Sequence, residues 1–171
     1  MLEKYFTSEE INNLSSNNDL MYKSLEIITK LFNDKTDKGG FPYVIHLLKV
    51  YSNVSSYEEK VCALLHDVVE DTLVTFSDLK KIGYTDKIID ILKILTKNKG
   101  EDYKDYINRI IESENVHAMN IKIADLRHNM DIKRIKNPTP NDVMRITKRY
   151  EPAYQKILNK LEEMEKENVR H

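Results

Sequence analysis

One short segment of this 171-residue chain concentrates side chains that can do acid–base or metal chemistry. The segment is LLHDVVEDT, and it contains His66, Asp67, Glu70 and Asp71. At about 100° per residue, a helix would place these four side chains on one side, opposite an arc of leucine and valine residues. Carboxylates three and four residues apart on a helix repel each other. A bound divalent cation would remove that repulsion, and imidazole with carboxylate suits manganese, iron or zinc.

Two other segments offer further ligands for such a cation. His46 lies in PYVIHLLKV, where the apolar residues define the other side of a helix. Asp125 shares a helical face with Lys122 and Asn129, at spacings of i, i+3 and i+7. A lone histidine or aspartate on a helix usually has a structural role, so it is the combination of the three segments that indicates a metal site.

The elements that must position these residues are predicted to be helices. Runs with helical apolar spacing occur at residues 7–18, 19–32, 43 onward, 57–71, 77 onward, 85–97, 102–112, 115–135 and 142–167. Thr7 and Glu10 form a capping box at the first run, and Gly83 can end the short helix that starts at Ser77. Pro152 should kink or divide the last helix. No stretch alternates with a period of two, so the expected fold class is all-α.

The amino-acid composition limits the classes of protein to which this chain can belong. Hydrophobic residues make up 40% of the chain and charged residues 32%, with a mean hydropathy of -0.57, which fits a soluble globular domain. The 27 basic and 28 acidic residues nearly cancel, which excludes a general attraction to nucleic acid. Cys62 is the single cysteine, which excludes an internal disulfide and a cysteine-based zinc site. No apolar run suits a membrane span or a signal peptide, so we expect a cytoplasmic protein.

The length fits one domain. We expect residues 1–171 to form it, with a core at about residues 19–161. The helix at residues 7–17 and the charged C-terminal helix end would then be peripheral.

Three sequence blocks resemble the hydrolase domain of RelA/SpoT-type enzymes, which act on the guanosine tetra- and pentaphosphates written (p)ppGpp. The blocks are GGFPYVIH, ALLHDVVEDT and IKIADLRHNM. They contain His46, His66, Asp67 and Asp125, in the order of the H…HD…D signature of HD metal-dependent phosphohydrolases. Small stand-alone SpoT-like hydrolases share this pattern. The resemblance spans residues 34–158, with weaker matches at LTK and YEP, and implies an HD-domain bundle of about eight helices around one metal site.

The resemblance also implies roles for individual residues. The implied metal ligands are His46, His66, Asp67 and Asp125. The ion would be Mn²⁺, or another divalent metal. Glu70 and Asp71 match the catalytic pair that orients the attacking water and removes its proton.

The substrate contacts follow the resemblance less closely. Asn129 matches a substrate-contacting residue, and Lys38 a basic residue at the pocket mouth. Further candidates for holding the 5′ phosphates are Lys97, Lys99, Lys122 and Arg145. Asp37 stands where the family usually has arginine, Leu47 where it has proline, and ADLRHNM replaces ADRLHNM. We expect Asp37 to lower the positive potential at the mouth, and Asp37→Arg to lower KM for guanosine tetraphosphate.

The expected activity is Mn²⁺-dependent hydrolysis of (p)ppGpp at the 3′ position, which gives GDP or GTP and pyrophosphate. Two alternatives stay open. The same chemistry could act on another nucleotide, such as NADPH or a deoxynucleotide, or the domain could be a nucleotide sensor without turnover. The expected partner is a small-molecule nucleotide, with no nucleic acid or membrane, and the sequence does not indicate an oligomeric state.

Overall fold

The fold is all-α, as the apolar spacing predicts. The structure, a computed structural model, describes residues 1–170. Its α-helices are α1 (Ser8–Ser16), α2 (Leu20–Leu31), α3 (Tyr43–Ser52), α4 (Tyr57–Leu65), α5 (Val68–Asp71), α6 (Phe76–Lys81), α7 (Asp86–Leu95), α8 (Tyr103–Glu112), α9 (Val116–Met130), α10 (Pro140–Arg145) and α11 (Glu151–Arg170). Two 3₁₀ turns, Leu2–Lys4 and Ile132–Arg134, and a π-helical segment, Ile146–Tyr150, complete the described chain.

Helix starts follow the local sequence closely. The Thr7–Glu10 capping box opens α1 as predicted, and equivalent boxes open α4, α6 and α10. Gly83 has φ +97 just after α6, a backbone conformation that suits glycine and ends the helix where expected.

Two predicted helices are divided, which is why the structure contains more helices than the eight or so expected. The run at residues 57–71 breaks after Leu65, and α5 starts only at Val68. The last run passes from α10 through the π-helical segment into α11, where Pro152 is the second residue. Proline has no N–H to donate to the preceding turn, so the change in hydrogen bonding just before it is expected.

Helix α9 lies at the centre of the bundle because it packs against two hydrophobic clusters. Ala118, Ile121 and Ala124 face a large cluster built mainly on α2, α3, α4 and α7. Met119, Ile123 and Leu126 face a smaller cluster built on α8 and α11. A helix buried on both flanks has little rotational freedom, so the polar residues between these flanks, Asp125 among them, are held in place.

The ends of the chain also contact the bundle. Leu2, Phe6 and Leu14 from the N-terminal segment are buried in the large cluster. The partition into a core at residues 19–161 with peripheral ends stays a prediction. Within residues 1–170, no helix combines the length and hydropathy that a bilayer crossing requires.

Candidate active site

Three side chains from separate helices converge in the middle of the bundle. His46 comes from α3, His66 from the end of α4, and Asp125 from α9, and one potential ligand atom of each lies within 4.8 Å of the others. Nε2 of His46 is 3.3 Å from Oδ1 of Asp125, and Nε2 of His66 is 3.9 Å from the same oxygen. All three side chains are buried. These atoms form a candidate metal site.

Asp67 lies at the edge of this cluster. Its Oδ2 atom is 3.1 Å from Nε2 of His66 and 3.6 Å from Nε2 of His46. The same oxygen accepts a 2.6 Å hydrogen bond from the hydroxyl of Tyr43, which lies one turn before His46 on α3. The break between α4 and α5 lets His66 and Asp67 face the same space.

The two imidazole rings are oriented through their other nitrogen atoms. Nδ1 of His66 donates to the carbonyl oxygen of Ala63 at 2.8 Å, so Nε2 of the neutral ring carries a lone pair. This Nε2 is buried and has no hydrogen-bond partner among the described residues. Nδ1 of His46 lies 2.7 Å from Nδ1 of His128. Metal-binding histidines are normally held in this way, so the donor set fits a divalent cation.

The charges of the cluster favour a bound cation. Burial alone would lower the pKa of His46, but contacts with Asp125 and Asp67 raise it to about 9. The same carboxylates raise the pKa of His66 against the effect of burial. In turn, the His66 and His46 rings lower the pKa of Asp67 in spite of its burial. The site therefore attracts positive charge, either protons on the rings or a metal ion in their place.

Asp125 is held from two sides by residues of its own helix. Oδ2 accepts a 2.8 Å hydrogen bond from Nζ of Lys122, and Oδ1 accepts one of 2.5 Å from Nδ2 of Asn129. Burial raises the pKa of Asp125, but Lys122, His46 and His66 together hold it below its usual range. Lys122 and Asn129 thus each donate a hydrogen bond that orients this carboxylate.

A cavity of about 490 Å³ opens beside the cluster. Glu70 and Asp71 line it from α5. Oε2 of Glu70 accepts a 3.1 Å hydrogen bond from the backbone N–H of Lys97, and partial burial raises the pKa of Glu70. Asp71 forms an ion pair with Lys35 from the loop before α3.

Comparisons with known proteins agree with this geometry. The chain is 30% identical over 129 residues to a probable guanosine-3′,5′-bis(diphosphate) 3′-pyrophosphohydrolase of Mycoplasma pneumoniae, covering 65% of this chain and 18% of that protein. It is 28% identical over 108 residues to the bifunctional (p)ppGpp synthase/hydrolase SpoT of Escherichia coli, covering 56% and 15%. It is 32% identical over 115 residues to the pyrophosphohydrolase MESH1 of Drosophila melanogaster, covering 61% and 63%. No protein-family model matches the chain.

A solved structure shares the fold. It is described as a metazoan orthologue of SpoT that hydrolyses ppGpp, and it superposes with a TM-score of 0.62 at 20% identity, covering 84% of this chain and 96% of that one. The chain is thus similar in sequence to the hydrolase domains of RelA/SpoT-type enzymes and shares the fold of this solved structure. The resemblance in the three sequence blocks is thereby confirmed. The chain spans only 15–18% of the long relatives named above and 63% of MESH1.

Only some of the basic residues proposed from sequence lie at the cavity. Lys38 and Lys97 line the cavity, and Nζ of Lys97 donates to the carbonyl oxygen of Glu101 at 3.0 Å. Burial and the nearby Arg145 lower the pKa of Lys38. Lys99 and Arg145 are absent from the described cavity wall. Lys99 is exposed in the loop after α7, and Arg145 pairs with Asp142 on α10 at 3.2 Å.

Several residues of the cavity wall were not singled out from sequence. They are Lys35, Tyr43, Tyr103, Tyr106, Arg134 and Arg149. Tyr43 had a usable signal, because it precedes His46 by three residues and shares its helical face. The guanidinium of Arg149 lies 3.9 Å from the ring centre of Tyr103, but no spacing along the chain connects these two residues.

Asp37 lines the cavity, but the expectation that its carboxylate is a free charge there is wrong. The effect of Asp37→Arg on KM stays a prediction. Its side chain is only 8% exposed and forms an ion pair with Arg134, which is 10% exposed. Oδ1 of Asp37 also accepts hydrogen bonds from the backbone N–H groups of Gly39 (2.8 Å) and Phe41 (3.0 Å). Asp37 is therefore a buried, neutralised residue of the loop and not a free carboxylate at the pocket mouth.

Proposed function

We propose that this chain hydrolyses guanosine tetra- and pentaphosphate at the 3′ position, giving pyrophosphate and GDP or GTP. The observation that carries the proposal is that the buried His46, His66 and Asp125 cluster opens onto the same cavity as Glu70 and Asp71. The names of the related proteins supply the substrate class, since they describe hydrolases of this nucleotide.

The proposed ligands are the residues that contact one another in the cluster, namely His46, His66, Asp67 and Asp125. Neutral imidazole and carboxylate oxygen together suit Mn²⁺, and other divalent ions of the same borderline or hard character. A divalent cation supplies an activated water at neutral pH and polarises the phosphoryl oxygen. Tyr43, Ala63 and Asn129 hold Asp67, His66 and Asp125 in orientation through the hydrogen bonds described above.

Glu70 is the proposed general base. Its carboxylate lies on the cavity wall, is fixed by the backbone N–H of Lys97, and has a raised pKa. A raised pKa makes the carboxylate a better proton acceptor. Asp71, which pairs with Lys35 on the same wall, is the residue proposed to orient the water. The proton of the attacking water would pass to Glu70.

The cavity has cations that can hold phosphate groups. Six basic side chains line it, and three of them are paired internally: Lys35 with Asp71, Lys122 with Asp125, and Arg134 with Asp37. The other three are Lys38, Lys97 and Arg149, and they have no ion-pair partner within the described chain. We assign phosphate binding to these three. Lys122 and Asn129, also candidates from sequence, contribute mainly by orienting Asp125.

A nucleotide panel tests the function. Purified protein with added Mn²⁺ is incubated with guanosine tetraphosphate, guanosine pentaphosphate, NADPH and deoxynucleoside triphosphates, and the products are separated by ion exchange. We expect GDP or GTP with an equal amount of pyrophosphate from the first two. Preferred release of phosphate groups from NADPH or a deoxynucleotide would contradict the proposed substrate. Binding of guanosine tetraphosphate without turnover would contradict catalysis.

A further inference from the structure

A buried ion pair joins the loop before α3 to the turn after α9, next to the candidate metal site. It consists of Asp37 and Arg134. We propose that Arg134 is a positioning residue for the metal site: Asp37 anchors it, and it fixes Asn129, which in turn orients Asp125. This inference rests on the metal site of the proposed function.

The position of Asp37 is well defined because both of its carboxylate oxygens accept hydrogen bonds. One oxygen accepts from two backbone N–H groups of its own loop, and the other contacts Nη1 of Arg134. Both side chains are about nine-tenths buried, so the loss of one partner would leave an uncompensated buried charge. The guanidinium is therefore held firmly against the loop.

The backbone geometry brings the loop close enough for this pair. A Cβ atom on Gly39 would lie 2.5 Å from the carbonyl oxygen of Arg134, a distance that two non-bonded atoms cannot adopt without movement. Only glycine lets the loop pack this closely against the Ile132–Arg134 turn. The pairing of Asp37 with Arg134 is thus built into the packing of the two segments.

Two hydrogen bonds then lead from the anchor to the candidate metal site. Nη2 of Arg134 donates to Oδ1 of Asn129 at 3.3 Å, and Nδ2 of Asn129 donates to Oδ1 of Asp125 at 2.5 Å. That Asp125 oxygen is the atom 3.3 Å from Nε2 of His46. Because a guanidinium only donates and a carboxylate only accepts, the amide of Asn129 has one orientation that satisfies both neighbours. Without Arg134, Oδ1 of Asn129 would lose this donor, and the amide would no longer be held in that orientation.

A direct contact between Arg134 and a phosphate agrees less well with the structure. Both Nη atoms are engaged, and Nε is buried away from solvent without a hydrogen-bond partner among the described residues. A ligand at the cavity would therefore meet a guanidinium whose charge is already paired with Asp37. The geometry therefore supports positioning rather than substrate binding.

The test measures Mn²⁺ affinity of the metal-free protein by calorimetry, without substrate. We expect Arg134→Met to weaken Mn²⁺ binding about tenfold, because Asn129 would then hold the ligand Asp125 less firmly. Loss of a residue that orients a metal ligand typically has an effect of this size. In the Asn129→Ala background, Arg134→Met should have no further effect, because the path runs through Asn129. Equal affinity of the wild type and Arg134→Met would overturn the inference, as would full additivity of the two substitutions.

Arg134→Lys separates positioning from a purely structural role. Lysine keeps the charge opposite Asp37, but it cannot reach both partners with a planar fork. We expect its melting temperature to return close to that of the wild type while Mn²⁺ affinity stays low. If affinity recovers together with melting temperature, the inference is wrong. If the wild type itself does not bind Mn²⁺, the proposed metal site fails, and this inference with it.

Discussion

His66 and Asp67 are consecutive in the chain, yet both face the candidate metal site, with Nε2 of His66 3.1 Å from Oδ2 of Asp67. Neighbours in a continuous helix point about 100° apart. Here α4 ends at Leu65, and Asp67 has φ -98 and ψ -4, outside regular helical geometry. The break lets one short segment supply two of the four proposed ligands.

Replacing either residue should remove the metal. We expect His66→Ala and Asp67→Ala to lose bound Mn²⁺ and hydrolysis, because each removes a ligand from a four-residue set. Metal content after reconstitution and far-ultraviolet circular dichroism check this, and the helical signal should remain. Asp90→Ala is the matched control, since Asp90 is exposed on α7 and pairs only with Lys93. A variant at His66 or Asp67 with wild-type metal content would show that the site is wrongly assigned.

Glu70→Gln should separate metal binding from proton transfer. Glutamine keeps the shape of Glu70 and can still accept from the backbone N–H of Lys97, but it cannot take a proton from water. We expect Mn²⁺ content to be unchanged and kcat to fall by roughly 10² or more. Single-turnover kinetics at saturating Mn²⁺ measures this. Loss of the metal in this variant would instead make Glu70 a ligand.

Mn²⁺ binding should tighten as pH rises. The pKa of His46 in the metal-free protein is raised to about 9, so its ring is protonated at neutral pH and must lose that proton to bind a metal. Below that pKa, each pH unit should strengthen apparent Mn²⁺ affinity about tenfold per displaced proton. Calorimetry in buffers of different ionisation enthalpy should detect the released proton. An affinity that does not change with pH, with no proton released, would contradict coordination by His46.

Asp37→Arg should destabilise the protein and should not improve substrate binding. The substitution places two guanidinium groups together and removes the acceptor of two loop N–H groups. Breaking a buried ion pair in this way costs about 3–5 kcal/mol. Denaturant unfolding and KM for guanosine tetraphosphate check it. A stable variant with a lower KM would restore the interpretation of Asp37 as a free charge at the pocket mouth.

Much of the fold could be predicted from local sequence. Helix content follows from apolar spacing, and the Thr7–Glu10 box correctly marks the start of α1 because both partners lie within one turn. The grouping of His46, His66 and Asp125 was expected from the resemblance of three sequence blocks, each of which contains one of these residues. These features depend on short segments whose patterns are strong.

The rest depends on contacts between distant segments. The break at His66–Asp67 could not be predicted, because the residue pattern alone favoured one continuous helix. The partner of Asp37 is 97 residues away, so its burial could not be read from neighbouring residues. Likewise, the pairing of Arg149 with Tyr103 depends on how the π-helical segment lies against α8.

The central claim is that the His46, His66 and Asp125 cluster binds the cation on which (p)ppGpp hydrolysis depends. The most direct measurement is a titration of metal-free protein with Mn²⁺ at saturating guanosine tetraphosphate, followed by pyrophosphate release. We predict no release without the ion, and a rate that rises to saturation at one Mn²⁺ per chain. Pyrophosphate release at the full rate without a divalent cation would contradict the claim.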